Sequence, residues 1–212
     1  MPTEPVPNAP RGPLRLDHLT PVEARQILSS TPRLLVPVGT LVARGGHLPL
    51  GTDTLIVERL ADDLSALFGV ARTPAIPFGV HARHDRETPG SAALTRKTLH
   101  RLMNELIAGW ENEAKVTDIL IITAHGGEAH LEALSTIRSE GRVSLLDIYT
   151  APLNDLTGGA PPDTAILMWL TPSLVDVAAI PPGIPRDPEL GARIYDRIAE
   201  YAAREIRAFF PT

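Results

Sequence analysis

The sequence contains no cysteine, so disulfide bonds and thiolate metal sites are excluded, and any metal ion would need histidine and carboxylate ligands. It also lacks an excess of basic residues: the net charge is -5 at pH 7 and the pI is about 5.8, which gives no basic surface for nucleic acid. No apolar run reaches the length of a membrane span, and the N-terminus has no apolar signal-peptide core. We therefore expect a cytoplasmic protein that binds neither nucleic acid nor membranes.

Aromatic residues are also scarce, at 4% of the chain, and the apolar content is mainly aliphatic, which is typical of a buried parallel sheet. Strands are predicted where short apolar runs occur, at residues 34–38, 119–123 and 142–149. Helices are predicted where apolar residues recur at helical spacing, at residues 20–30, after Asp53, at 95–111, at 128–139 and from Asp187 onwards. Strands that alternate with helices predict an α/β fold, a three-layer α/β/α domain with a mainly parallel sheet.

Two segments and the chain's N-terminus complete this prediction. Residues 74–80 are predicted as a short edge strand because of their prolines, and residues 164–170 as a fourth apolar strand or another buried segment. Residues 1–18 are predicted as a proline-rich N-terminal arm, disordered or wrapped on the surface. Residues 19–212 are then expected to form a single domain.

The first candidate site stretch, VPVGTLVARGGHLPLGTD, spans residues 36–53. An apolar strand here runs into a loop that contains Arg44, His47 and Asp53, and α/β proteins place their sites at such strand ends. Asp53 has two interpretations, a site carboxylate or the N-cap of the helix that follows. His47 is either a substrate-binding residue or a packed loop histidine.

The second candidate stretch, DILIITAHGGE, has the same arrangement of an apolar strand followed by polar residues. His125 in this stretch is a ligand, an acid or base, or a loop residue bonded to the backbone. Gly126 and Gly127 permit a close approach of the backbone, and the following helix N-terminus favours an anion. Glu128 either complements the helix dipole or faces the site.

Four motifs of the sequence resemble, in the same order, those of the creatininase (creatinine amidohydrolase) family. PVGTLVARGGHLPLGTDT resembles the family pattern P-x-G-S-x-E-Q-H-G-P-H-L-P-L-G-T-D, and AHGGE resembles G-H-G-G-N. DLTGGAPPDTAILMWLTPSLV is similar to D-x-H-A-G-x-x-E-T-S…P-x-L-V, and GIPRDPELGARIYDRI is similar to the family's closing helix. The resemblance covers nearly the whole chain from Leu34 onward and implies a creatininase-like fold.

The resemblance also implies a function and a partner. Members of the family hydrolyse C–N bonds of cyclic amides, formamides or short peptide-like substrates, with a pair of divalent metals that activate a bridging water. The metals are held by a Glu, a His and the terminal Asp of the first motif, the His of the second motif and a further acid. A small-molecule substrate and a homo-oligomer, a hexamer by resemblance, are therefore expected.

This sequence departs from the family pattern at the metal ligands. The Glu of the first motif falls on Val42, which cannot bind a metal, and its His falls on Arg44, which is always cationic. Asp53 and His125 are retained. We expect the Arg44 guanidinium to pair with Asp53 where a metal would have stood.

The further acid and the third motif are altered as well. The acid falls either on Gly127 or on Asp163, and the third motif's His, which assists proton transfer in the family, falls on Thr157. Asp53, His125 and Asp163 are thus the remaining candidate metal ligands. Because a catalytic zinc needs three protein ligands and a water, we expect no metal, or at most one weakly bound zinc or manganese ion.

Two main hypotheses follow. In the first, the chain is a creatininase-like hydrolase of a non-peptide, cyclic amide C–N bond, with a mononuclear or metal-free centre. Its catalytic residues are then Asp53, His125, Arg44 and Glu128, and its substrate-binding residues are His47, Gly126, Gly127 and Thr157. In the second, the chain is a non-hydrolytic homologue that binds a small molecule, performs a different metal-free reaction or is a pseudoenzyme. Anion or nucleotide binding at the HGG turn is a third possibility.

Overall fold

Four parallel strands form the centre of the computed structural model, which describes residues 12–82 and 88–210. Their order in the sheet is β2-β1-β3-β4. The strands are β1 (Arg33–Val38), β2 (Ala71–Arg72), β3 (Asp118–Thr123) and β4 (Arg142–Asp147). The last paired residues of the three long strands, Val38, Thr123 and Asp147, lie side by side, so the loops that follow them meet at one edge.

Helices cover both faces of the sheet. They are α1 (Pro21–Ser30), α2 (Thr52–Phe68), α3 (Arg96–Ala114), α4 (Glu128–Ser135), α5 (Asn154–Thr157), α6 (Asp163–Leu170) and α7 (Pro188–Phe209). Short 3-10 helices span Leu16–His18, Ile148–Thr150, Pro172–Leu174 and Val177–Ala179. Alternate residues of β1 face opposite cores: Leu35 packs with α2, α6 and α7, whereas Leu34 and Val36 pack with α1, α3 and α4. The predicted three-layer α/β/α architecture is confirmed.

Capping residues explain several helix ends. The Thr20 side chain accepts a hydrogen bond from the backbone of Glu23, whose carboxylate bonds back to Thr20, so α1 begins with a capping box. Asp187 caps α7, with Pro188 at its first position. These local patterns are visible in the sequence, which is why both helix starts were predictable.

One sequence prediction was wrong, and another was correct in only one of its two alternatives. Residues 74–80 form no strand, and Ile76 makes only an isolated bridge to Val38; the edge strand is the preceding pair Ala71–Arg72. The segment predicted as a fourth strand is α6 (Asp163–Leu170), so its alternative interpretation as a buried segment is the one that applies. Since α6 packs against both α2 and α7, its apolar run has no polar face to reveal the helical period.

The described part of the predicted N-terminal arm lies along the sheet edge. The backbone N–H of Arg72 donates to the Leu14 carbonyl, and Arg15 forms a bridge to Arg72. The fully buried Arg72 guanidinium is paired with Asp62 at 2.6 Å. Residues 1–11 lie outside the described residues. Within 12–82 and 88–210, no helix has both the length and the apolarity needed to cross a membrane.

Candidate functional site

Asp53 is the centre of a cluster of side chains at the carboxyl edge of the sheet. It is the second residue of α2 and is only 1% exposed. Gly51, and not Asp53, occupies the N-cap of α2, so the helix-capping interpretation of Asp53 was wrong. Its carboxylate instead accepts hydrogen bonds from the side chains of Thr40, Arg44 and His125.

Arg44 holds Asp53 in a bidentate ion pair. The Arg44 Nε lies 2.8 Å from Oδ1, and Nη2 lies 3.0 Å from Oδ2. Burial raises the pKa of Asp53, but the hydrogen bonds from His125 and Arg44, together with the Arg44 charge, outweigh it and lower the pKa overall. Burial also lowers the pKa of Arg44, and the bond to Asp53 reverses this, so the pKa is raised. Both groups are therefore charged at neutral pH.

His125 is the third member of the cluster. Its Nδ1 lies 3.0 Å from Asp53 Oδ2 and 3.1 Å from Arg44 Nη2. The carboxylate can only accept, and Arg44 Nη2 already donates to Asp53 and to the Ala124 carbonyl. We therefore assign the proton to Nδ1, which leaves Nε2 as a free lone pair. A Cβ at Gly127 would lie 2.7 Å from Nε2, so glycine keeps the space beside this nitrogen open.

Behind His125 lies a second imidazole, that of His130, which is fully buried. The backbone N–H of Val80 donates to His130 Nδ1 at 3.2 Å, so neutral His130 has its proton on Nε2, which donates to Thr123 Oγ1 at 3.0 Å. The rings of His125 and His130 are 5.0 Å apart and nearly perpendicular. His130, Ala133 and Leu134 share the buried face of α4, and this spacing could have identified His130 as inward-facing.

His130 is expected to make the stability of the protein depend on pH. Burial lowers its pKa from 6.5 to about 3, so below pH 6.5 the unfolded chain binds a proton that the folded chain does not. Stability from this group is therefore complete above 6.5 and falls as the pH drops towards 3, by roughly 5 kcal/mol as an upper bound. Chemical denaturation at several pH values measures the free energy of unfolding of the wild type and of His130→Gln. Below pH 6.5 this free energy should fall less steeply in the variant. The same pH dependence in both proteins would contradict this assignment.

Two further acids lie near the cluster. Asp163, the first residue of α6, is buried and accepts a hydrogen bond of 2.5 Å from the Tyr149 hydroxyl. Burial raises its pKa, and also that of the half-buried Asp147, which ends β4. Asp147 Oδ1 accepts the Tyr149 backbone N–H, and Oδ2 would lie 3.5 Å from a Cβ at Gly126. Asp147, Tyr149 and Thr40 were not identified from the sequence: Asp147 and Tyr149 lie outside its motifs, and Thr40, which lies within the first motif, was not singled out.

The remaining predicted site residues are placed around this cluster and not within it. The buried His47 bonds through Nε2 to Thr164 Oγ1 at 2.7 Å, while its Nδ1 has no hydrogen-bond partner among the described residues. The Thr157 hydroxyl accepts the Gly159 backbone N–H, and Thr157 lines a cavity of about 380 Å³ together with Tyr149. Glu128 is exposed at the first position of α4. The structure therefore gathers Arg44, Asp53 and His125 and leaves the others outside their hydrogen-bond network.

Comparison with known proteins relates the chain to hydrolases. The model of the family described as creatininase (creatinine amidohydrolase) matches residues 17–209. The mycofactocin precursor peptide peptidase of Mycolicibacterium smegmatis is 30% identical over 157 residues, covering 70% of this chain and 62% of the relative. The 3-dehydro-scyllo-inosose hydrolase of Thermotoga maritima is 27% identical over 110 residues, covering 52% and 35%. The chain thus spans 62% or less of the length of these curated relatives.

Solved structures show the same relationship at the level of the fold. The structure of creatinine amidohydrolase (creatininase) matches with a TM-score of 0.81 at 16% identity, covering 94% of this chain and 99% of the other. Creatininases described as a zinc–zinc type and as a manganese form match with TM-scores of 0.81 and 0.80. The arrangement of the sheet and its helices is therefore that of a known fold. Because the family model matches almost the whole described chain, this protein belongs to the creatininase family.

Proposed function

We propose that this creatininase-family protein hydrolyses the C–N bond of a cyclic, non-peptide amide at a centre in which Arg44 supplies the positive charge. The observation that supports this most is the contact of Arg44 with both Asp53 and His125. A histidine with a free Nε2 and a neighbouring fixed cation are the groups that acyl transfer requires. The hydrolase names of the relatives favour the same class of reaction.

The residues present do not fit the pair of divalent ions that the resemblance implies. Both oxygens of Asp53 accept hydrogen bonds from Arg44, whose permanent charge repels a metal cation. Val42, at the position of the family's Glu ligand, is buried in the core and has no donor atom. Within the described residues, no group of three or more His, Asp or Glu could hold a metal ion. We therefore assign the proposed chemistry to protein side chains.

In the proposed reaction, residues of the cluster accept and return the proton and stabilise the charges that develop. His125 Nε2 takes a proton from water while the water oxygen attacks the carbonyl carbon of the substrate. Arg44 Nη1, which has no hydrogen bond within the described chain, donates to the carbonyl oxygen as it becomes negative. When the C–N bond breaks, His125 returns the proton to the leaving nitrogen, and Asp53 stabilises the imidazolium in the interval.

A substrate panel after chelation tests this proposal. The protein is dialysed against a chelator and assayed with lactams, hydantoins, formamides and short peptides, the last because one relative is a peptidase. We expect turnover of at least one cyclic amide that does not fall on chelation. Turnover that is lost on chelation and restored by zinc or manganese would contradict the role of Arg44.

A non-hydrolytic binding function is the second candidate. It is favoured by the saturation of Asp53, whose two oxygens accept bonds from Thr40, Arg44 and His125 and have little capacity left for water. Arg44 Nη1 would then bind a carboxylate or carbonyl of a ligand that is not cleaved. Binding of cyclic amides by calorimetry, without turnover of any of them, would favour this candidate over hydrolysis.

Gly127→Ala is expected to block the site without unfolding the protein. The new Cβ would lie 2.7 Å from His125 Nε2, the atom that must meet water, and Gly127 has a φ of -64°, which alanine adopts freely. We expect turnover, or ligand affinity, to fall at least about tenfold, with a melting temperature close to that of the wild type. Gly109→Ala on α3, where a Cβ meets nothing within 4 Å, is the matched control and should leave activity unchanged.

A further inference from the structure

His130 lies near two threonines that hold the Asp53–His125 pair: Thr123, which bonds to His125, and Thr40, which bonds to Asp53. Through Nε2 it donates to Thr123 Oγ1, and the same oxygen accepts the backbone N–H of His125 at 3.2 Å. Its ring also lies against the ring of His125, with centroids 5.0 Å apart. His130 thus acts on the His125 backbone through Thr123 and contacts the His125 ring directly.

Gly79 lies next to both His130 and Thr40, and the Thr40 hydroxyl donates to Asp53. A Cβ at Gly79 would lie 2.6 Å from His130 Cε1 and Nδ1 and also 2.6 Å from Thr40 Cγ2. Gly79 therefore lets the His130 ring and the Thr40 side chain pack closely in a fully buried region. The Thr40 hydroxyl lies 2.5 Å from Asp53 Oδ2, the oxygen that also faces His125 Nδ1.

The tautomer of His130 is determined by its two partners. Val80 N–H needs an acceptor, so Nδ1 has the lone pair and Nε2 is the only donor available to Thr123. A protonated His130 would lose the bond from Val80 and place a second cation beside His125. No acidic side chain hydrogen-bonds to His130 within the described residues, and the negative charge of Asp53 is outweighed by burial and by the repulsion from His125 and Arg44, so the pKa of His130 is lowered.

We infer that His130 is a positioning residue, a neutral imidazole whose bond to Thr123 holds His125 with its Nδ1 proton on Asp53 and its Nε2 lone pair facing Gly127. This inference rests on the proposed role of His125 as the base. Without the bond from His130, the Thr123 hydroxyl is free to rotate and no longer fixes the His125 backbone. The His125 ring would then shift relative to Asp53, and the bond that fixes its proton on Nδ1 would weaken. His125 would sample both tautomers, and the reactive lone pair would be present on Nε2 only part of the time.

Side-chain ¹⁵N chemical shifts of His125 in the full chain at neutral pH test this directly. The wild type is expected to show one protonated and one unprotonated nitrogen, with the proton on Nδ1. In Thr123→Val, an isosteric change that suits a β-strand, and in His130→Leu, the two shifts should move towards each other. Thr123→Ser, which restores the hydroxyl, should recover the wild-type pair of shifts.

The ¹⁵N shifts of His125 are measured without a substrate, so they test the role of His130 independently of hydrolysis. Unchanged His125 shifts in a folded Thr123→Val protein would overturn the inference and leave hydrolysis standing. If His130→Leu does not fold, Thr123→Val decides alone. In a hydrolytically active protein, Thr123→Val should also lower kcat about 10- to 100-fold with little change in KM. The surface variant His18→Gln is the control and should change neither readout.

Discussion

Arg44→Ala is expected to lower the free energy of unfolding by about 3–5 kcal/mol, because it leaves the carboxylate of Asp53 buried without its cation. Asp53 has no exposed side-chain surface, and Arg44 supplies two of its hydrogen bonds. The pKa of Asp53 is lowered in the folded state, so its contribution is complete above its ordinary value of 3.8 and is lost as the pH falls through the lowered pKa. The free energies of unfolding of the wild type and of Arg44→Ala, measured by denaturation, should therefore differ most at neutral pH and less at acidic pH.

A double variant separates the charge from the packing of Arg44. Arg44→Ala combined with Asp53→Asn removes both charges, and we expect it to recover much of the stability lost in Arg44→Ala alone. Arg101→Ala is the matched control, since Arg101 forms a solvent-exposed pair with Glu105 and its loss should leave the free energy of unfolding nearly unchanged. A loss of similar size for Arg44 and Arg101 would mean that Arg44 does not neutralise a buried carboxylate.

His125→Ala is expected to have the largest effect on activity, a fall in kcat of about 10²- to 10⁴-fold, because it removes the general base and the proton donor for the leaving nitrogen. The reason is geometric: His125 Nδ1 is tied to Asp53, and the free Nε2 is beside Gly127. Steady-state kinetics on whichever cyclic amide the wild type turns over measures this loss. His125→Gln should be nearly as inactive as the alanine variant, since an amide cannot accept and return the proton.

His100→Ala is the control for His125→Ala, and Asp53→Asn tests the orientation of the base. His100→Ala changes a partly exposed histidine of α3 whose contacts are to Thr136 and Asn104, and kcat should stay at the wild-type value. Asp53→Asn should also lower kcat strongly, because an amide does not hold the His125 proton on Nδ1 as the carboxylate does. A His125→Ala variant that keeps full turnover would show that the reaction, if any, occurs elsewhere in the molecule.

The layered fold was predictable because its signals are local. Apolar runs such as residues 119–123 and capping residues such as Thr20 and Asp187 act within a few positions of themselves. The helix α6 was not predictable as a helix, since an element that is apolar on all sides shows no period. The prolines in residues 74–80 favoured an edge strand, yet this segment makes only one isolated bridge, from Ile76 to Val38.

The candidate site was predictable where a polar residue follows an apolar strand, as His125 does, and where opposite charges are close in the sequence. Arg44 and Asp53 are nine residues apart with opposite charges, and the structure brings them into contact. The spacing of His130, Ala133 and Leu134 on α4 indicates an inward-facing His130, but its bonds to Thr123 and to the backbone of Val80 join residues that no sequence motif relates. Glu128 follows the HGG turn in sequence, but the first turn of α4 points it to solvent, so its catalytic role stays a prediction.

The metal content of the protein, purified without chelators from cells grown with zinc and manganese, tests the role of Arg44 most directly. Val42→Glu combined with Arg44→His restores donor atoms at the two altered positions and is the positive control, expected to bind more metal than the wild type. The account predicts far less than about one divalent ion per wild-type chain, with Arg44 in contact with Asp53. About two ions per chain bound at Asp53 and His125, with Arg44 turned into solvent, would contradict it.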